Sequence, residues 1–153
     1  MELGTVTPST MRDFRKLIAW QKAHALALDV HRSVMELRGV MPAHCRNQVE
    51  RAIASIPANI AEGCGKRSEI EFSRYLDIAL GSAKECENHL LFARDMHFLD
   101  EPTYSSLDTQ LREVGRILYG LNRVVRARSG DVRLAGSEKD EAQSAKVSAE
   151  GGR

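Results

Sequence analysis

The feature that most constrains this chain is an alternation of apolar residues at steps of four and three. Phe72, Leu76, Ala79, Ala83, Cys86, Leu90 and Ala93 keep that spacing without a break, and Leu107, Leu111, Val114, Leu118, Leu121 and Val125 repeat it. A spacing that averages about 3.5 residues holds every member on one stripe of an α-helix, whereas a strand would scatter them over both faces. Stripes of this kind are buried only against other helices, as the seams of a left-handed bundle. Aromatic residues make up 5% of the sequence, which suits helix-on-helix packing better than a sheet.

Two further helical patterns precede these. The first is expected from about Phe14 to Leu37, with Trp20, Ala23, Ala27, Val30, Val34 and Leu37 on its inner face. Gly39 stops it, and Pro42 lies in the connection. The second begins near Ala43, carries Val49, Ile53, Ile56 and Ile60 inward, and meets Pro57 inside that stripe. A kink near Ile53–Pro57 is expected there rather than a break. Gly63 and Gly65 end the element, and Ser68 with Glu71 forms a capping box for the third helix. That helix runs to about His97, roughly 45 Å at 1.5 Å per residue. Gly81 and Ser82 at its middle predict a point where a neighbouring helix comes close, and Asp100-Glu101-Pro102 opens the fourth.

Past Arg128 the apolar pattern stops. The expectation is therefore all-α: an up-down-up-down antiparallel four-helix bundle over 13–128, with a flexible leader at 1–12. The tail, 129–153, has too little apolar surface to order itself and is expected to be disordered unless bound. A length of 153 residues suffices for one domain with a real core and is too short for two ordinary ones. The formal net charge of +1 gives no global bias toward nucleic acid or acidic membrane, so any basic site must be local. Apolar runs are too short for a membrane span, and the first residues lack the basic and apolar regions of a signal peptide. Three cysteines without regular spacing fit buried thiols in a reducing compartment, and a cytoplasmic location is expected.

One stretch is chemically unusual for a helix: Ser55-Ile56-Pro57-Ala58-Asn59-Ile60-Ala61-Glu62-Gly63. Together with Trp20-Gln21-Lys22-Ala23, with Gln48, Arg51 and Ala52, and with Glu71-Phe72, Leu76, Ile78-Ala79, Gly81-Ser82 and Glu85, it resembles the four-helix-bundle family. That family is also called the 23S rRNA intervening-sequence protein family, and the likeness covers roughly residues 12–126. The resemblance implies a four-helix bundle, commonly a ring-shaped homopentamer, with no established enzymatic activity. The family is similar in fold to the accessory variability determinant of diversity-generating retroelements, a pentameric basic bundle that binds nucleic acid and a reverse transcriptase. Glu113-Val114-Gly115-Arg116-Ile117-Leu118 also resembles that relative's last helix.

Several constellations remain to be weighed. Asn59 and Glu62 stand one turn apart, as do Ser82 and Glu85 on the next helix. A carboxylate pair of this sort serves acid/base work or cation binding. No nucleophile or histidine is spaced to join it, so a buried hydrogen-bonded network that fixes helix register is the expectation. A di-iron bundle needs Glu-x-x-His on two helices, and none occurs; Cys86 and His89, or His44 and Cys45, do not make a metal set, and no metal or other cofactor is expected. Gly63-Cys64-Gly65-Lys66-Arg67-Ser68 fails as a phosphate loop because Ile60 and Arg67 stand where glycine and Ser/Thr belong. Lys66 and Arg67 at a helix start remain a weak anion site.

Arg112, Arg116 and Arg123 fall within about 40° of one another, opposite the Leu107–Val125 seam, with Tyr119 beside them to stack on a base. They are the candidate nucleic-acid-binding residues. The function expected is a non-enzymatic homo-oligomeric bundle whose basic outer belt binds RNA or DNA. The alternative is a scaffold or adaptor for a protein partner, without nucleic acid.

Overall fold

In the computed structural model, which describes the backbone of residues 12–150 and the side chains of 12–130, four helices follow a short 3-10 turn at Phe14–Lys16. They are α1 (Ile18–Glu36), α2 (Ala43–Cys64), α3 (Glu69–Asp95) and α4 (Glu101–Glu150). The packed pairs are α1 with α2, α2 with α3, α3 with α4 and α4 with α1, so the helices stand at the corners of a square and its diagonals do not meet. α2 and α3 run antiparallel, as do α3 and α4. Ser55 meets Ser82 while Glu62 meets Tyr75, and Asp77 meets Arg126 while Glu87 meets Arg112. No strand occurs among the described residues.

The seams land where the spacing puts them. Phe72, Leu76, Ala79, Ala83, Cys86, Leu90 and Ala93 are all buried on α3, as are Val49, Ile53, Ile56 and Ile60 on α2. On α4, Leu107, Leu111, Val114, Leu118 and Val125 are buried, and Leu121 is packed half-buried against them. α2 passes through Pro57 without a break, the proline ring buried in the core face.

On α1 the inner face is Ala19, Ala23, Leu26, Val30 and Val34, so Trp20, Ala27 and Leu37 are corrected to the margin. Ala25-Leu26-Ala27-Leu28 is apolar on every side, and its pattern alone does not say which residue turns inward. Trp20 instead closes the flank, with Phe14 at 4.9 Å and His24 stacked at 4.7 Å between ring centres.

The helix ends are chemically explicit. Gly39 takes φ 91° in the turn after α1, a conformation that suits glycine alone. The Ser68 hydroxyl accepts from the Glu71 backbone N–H at 3.2 Å and donates to the Glu71 carboxylate at 3.0 Å, closing the capping pair. α3 stops at Asp95. His97 then adopts φ 59°, and the Phe98 N–H reaches back to the Ala93 carbonyl at 2.9 Å, a Schellman-type ending. Asp100 caps α4 by accepting from the Thr103 N–H at 2.8 Å, and Thr103 holds the Asp100 carboxyl below its ordinary value.

At the start of the chain, residues 1–11 lie outside the described residues, and so does that part of the expected leader. Arg12 is docked: its guanidinium pairs with Glu69 and lies 4.5 Å above the Phe72 ring. The backbone of α4 continues to Glu150, but the side chains of 131–150 lie outside the described residues, and with them most of the expected disordered tail.

Of the pair at the middle of α3, Ser82 does meet the neighbouring helix, its hydroxyl 2.8 Å from that of Ser55, whereas Gly81 faces open space and the tight glycine contact is at Gly63. A Cβ at Gly63 would sit 2.8 Å from the Tyr75 Cβ and 2.9 Å from the Phe72 ring, whereas one at Gly81 would meet nothing within 4 Å. Gly63→Ala is expected to cost about 1–3 kcal/mol by overpacking. Gly81→Ala, on an open helix surface, is expected to stabilise by up to about 1 kcal/mol. Urea unfolding of the two variants checks this; equal effects would contradict the packing at Gly63.

Candidate nucleic-acid interface

Arg112, Arg116, Tyr119 and Arg123 are all exposed on one face of α4, as the helical spacing requires. Their side chains are not equivalent. Arg112 Nε donates to Asp108 at 2.7 Å, and its terminal nitrogen lies 3.6 Å from Glu87 on α3. The Asp108 hydrogen bond first, then the Asp108 and Glu87 charges, raise Arg112 above its ordinary pKa. Arg116 and Arg123 have no ion pair among the described residues, which leaves them as the cations of this face available to a phosphate. Tyr119 is 62% exposed, well above the usual share for an aromatic ring.

Between this face and α3 runs a cleft of about 490 Å³. Its walls are Leu80, Ala83 and Leu111, and Lys84, Glu87, Arg112, Arg116 and Tyr119 stand around its rim. Gly115 opens onto it, and a Cβ there would meet nothing within 4 Å.

Lys66 and Arg67 stand side by side after α2 but are held differently. Lys66 is occupied within its own neighbourhood, 3.4 Å from Glu62 and 4.7 Å above the Tyr75 ring. Tyr75 first and Glu62 second among its favourable partners raise the Lys66 pKa. Arg67 is exposed on the connection and does not share in these contacts.

The polar network of Asn59, Glu62, Ser82 and Glu85 is half realised. Asn59 donates to the Ser55 carbonyl at 2.8 Å and to the Ser55 hydroxyl at 2.9 Å, and that hydroxyl meets Ser82 at 2.8 Å. Ser55 is the link that joins the two helices. Glu62 and Glu85 are corrected to the solvent side, where no carboxylate pair forms. Glu62 accepts from the Tyr75 hydroxyl at 2.9 Å, which with Lys66 holds it below its ordinary pKa. Glu85 lies 3.5 Å from His89. The reason is angular: one turn from Asn59 carries Glu62 past the seam, and Glu85 likewise lies beyond Ser82.

A second polar cluster, between α3 and α4, escaped the sequence reading. Ser73 donates to Asn122 at 2.7 Å, and Asn122 donates to Asp77 at 2.7 Å. Arg126 donates to Ser73 at 3.2 Å and to both Asp77 oxygens at 3.0 and 2.7 Å. Asn122 is only 4% exposed. Its signal was faint: it follows Leu121 at the edge of the seam, and its partners lie far away in sequence.

Cys64 and Cys86 are buried and Cys45 is half-buried, all as free thiols. Burial pushes the Cys86 thiol up to about 12, with the Glu85 charge adding to it. Among the described residues no three His, Cys, Asp or Glu side chains stand together as a metal set. Nor is any helix among them long and apolar enough to cross a membrane.

These features define an all-α four-helix bundle with Arg112, Arg116 and Arg123 exposed on one face of α4. The chain belongs to the 23S rRNA-intervening sequence protein family, whose model matches residues 15–120. It is similar to the crystal structure of a protein of unknown function from the S23 ribosomal protein family of Bacteroides thetaiotaomicron. The two are 23% identical, with a TM-score of 0.66 over 69% of this chain and 96% of that one, a likeness of fold. No curated protein sequence matches the chain at a significant level.

Two outcomes are expected. Asn122→Ala leaves Ser73 and Asp77 short of a buried partner and costs about 1–3 kcal/mol in urea unfolding, more than Asn59→Ala at its half-buried site. A thiol reagent at pH 8 labels Cys45 first, while Cys64 and Cys86 react only on unfolding. Because its raised pKa leaves Cys86 almost wholly as the thiol at that pH, rapid native labelling of Cys86 would contradict its placement.

Proposed function

We propose that the chain is a non-enzymatic, homo-oligomeric bundle module of the cytoplasm that binds RNA or DNA through the outer face of α4. The observation that carries this reading is the joint exposure of Arg116, Tyr119 and Arg123, with both arginines free of ion pairs among the described residues. Cations that face solvent without an internal partner neutralise phosphates at least cost, and an exposed ring beside them stacks on a base. The family name, which refers to 23S rRNA, is in keeping with a nucleic-acid setting. The resemblance described above suggests a homopentamer, in which each basic face would be repeated around a ring. Multiplying contacts in this way raises affinity without any new chemistry.

A second reading is favoured by a different surface. Ile78 and Phe92 on one stripe of α3, and Met96 at its C-cap, are exposed, which suits a scaffold or adaptor for a protein partner without nucleic acid.

Light scattering coupled to size exclusion, with and without short RNA and DNA at low and high salt, separates the two. The expected result is a five-subunit mass that takes up nucleic acid at low salt and releases it at high salt. Arg116→Glu with Arg123→Glu should abolish uptake and leave the mass of the protein unchanged. A five-subunit mass that stays bare at low salt overturns the nucleic-acid reading in favour of the scaffold, and a monomer overturns the assembly.

A further inference from the structure

We infer that the cleft between α3 and α4 is a slot for one unpaired base, so that the ligand of the basic face is a single strand rather than a duplex. This inference rests on the nucleic-acid reading above and goes beyond it by naming the substrate class. Leu80, Ala83 and Leu111 give the cleft apolar walls, and Gly115 lines it with open space in front of its backbone, where a large side chain would intrude. Its volume of about 490 Å³ lies in the range of small-ligand pockets.

The cleft is also short. Beside it, at the Leu111 end, Arg112 bridges to Glu87 at 3.6 Å. Beyond Tyr119, Arg126 bridges to Asp77 at 2.7 Å. A partner helix needs an apolar groove that continues over several turns, and these two bridges cross the seam instead. A planar ring fits between them.

The rim then selects for nucleic acid. Lys84 pairs with Glu87 at 2.6 Å, and Arg112 with Asp108 at 2.7 Å, so these four charges neutralise one another. Arg116 is left on the rim as the uncompensated cation, beside the exposed Tyr119 ring. A base entering the slot gains the Tyr119 ring and the Leu80 and Leu111 side chains, while its phosphate reaches Arg116 and the neighbouring phosphate follows toward Arg123. Bases in a duplex are already stacked and paired, and cannot enter without being unstacked.

The test compares labelled single-stranded DNA with a duplex of the same sequence and length, at low salt, on the full chain. Single strand is expected to bind about tenfold tighter, the scale of one base–aromatic stack. Gly115→Leu fills open space on a helix, so the fold should hold and its thermal midpoint should not fall. It should remove the single-strand preference while leaving duplex binding and its salt dependence unchanged. Arg116→Glu should weaken both ligands. Equal affinity for single strand and duplex, or a preference that survives Gly115→Leu, overturns the slot while the basic-face reading stands. A Gly115→Leu variant that binds nucleic acid normally but loses a protein partner assigns the cleft to protein and overturns it too. Binding of neither ligand by the wild-type chain overturns both readings.

Discussion

The bundle depends on how closely α2 and α3 approach each other. Interhelical distance is set by the side chains at the crossing, and here those side chains are small or absent. Gly63 faces Phe72 and Tyr75 with no room for a methyl group, and Ser55 meets Ser82 near the middle of the helices. The buried stripe of α3 mixes the small Ala79, Ala83, Cys86 and Ala93 with the large Phe72, Leu76 and Leu90, and Ile53, Ile56 and Ile60 of α2 with Leu107, Leu111 and Leu118 of α4 fill the rest of the core. Interleaving small and large side chains is how a helical core fills its interior.

The same arithmetic shapes the surface. Because α3 is shared by two neighbours, its flanking polar residues are drawn into bridges: Asp77 to Arg126, Glu87 to Arg112, Tyr75 to Glu62. Each bridge consumes a charge that would otherwise face water. On this outer face of α4, Arg116 and Arg123 are left without such a bridge among the described residues. The electrostatic character of that face therefore follows from which cations the packing leaves without a partner, and the near-zero net charge of the chain conceals it.

The four helices and most of their buried stripes were legible because burial repeats locally. A stripe at steps of four and three can be read from Phe72 to Ala93 without knowing what covers it. Where the chain is apolar all round, as at Ala25–Leu28, the same reading lost one residue of register and placed Trp20 inward. Polar contacts were harder for a different reason. Asn59 and Ser82 were legible as unusual residues on seams, but the angle that carries Glu62 and Glu85 into solvent is a matter of a few tens of degrees. Gly81 is a poor helix former in the middle of α3, whereas Gly63 has the sequence context of a helix terminator. Only the atoms around each glycine distinguish a packing requirement from an ordinary surface position. Arg116 and Arg123 were visible as a face, but that Arg112 is spoken for depends on Glu87, a residue of another helix.

Ser73, Asp77, Asn122 and Arg126 were invisible as a group, yet their arrangement has a consequence for how such a chain can vary. Each of the four is held by at least one of the others, and removing Asn122 leaves the buried Ser73 hydroxyl without its acceptor. Drift at these positions is therefore not free to proceed one residue at a time. Members of the family that differ here should differ at several of the four together, the set being kept whole or exchanged for an apolar one. In effect, two segments some fifty residues apart are bound to a common history by a few hydrogen bonds.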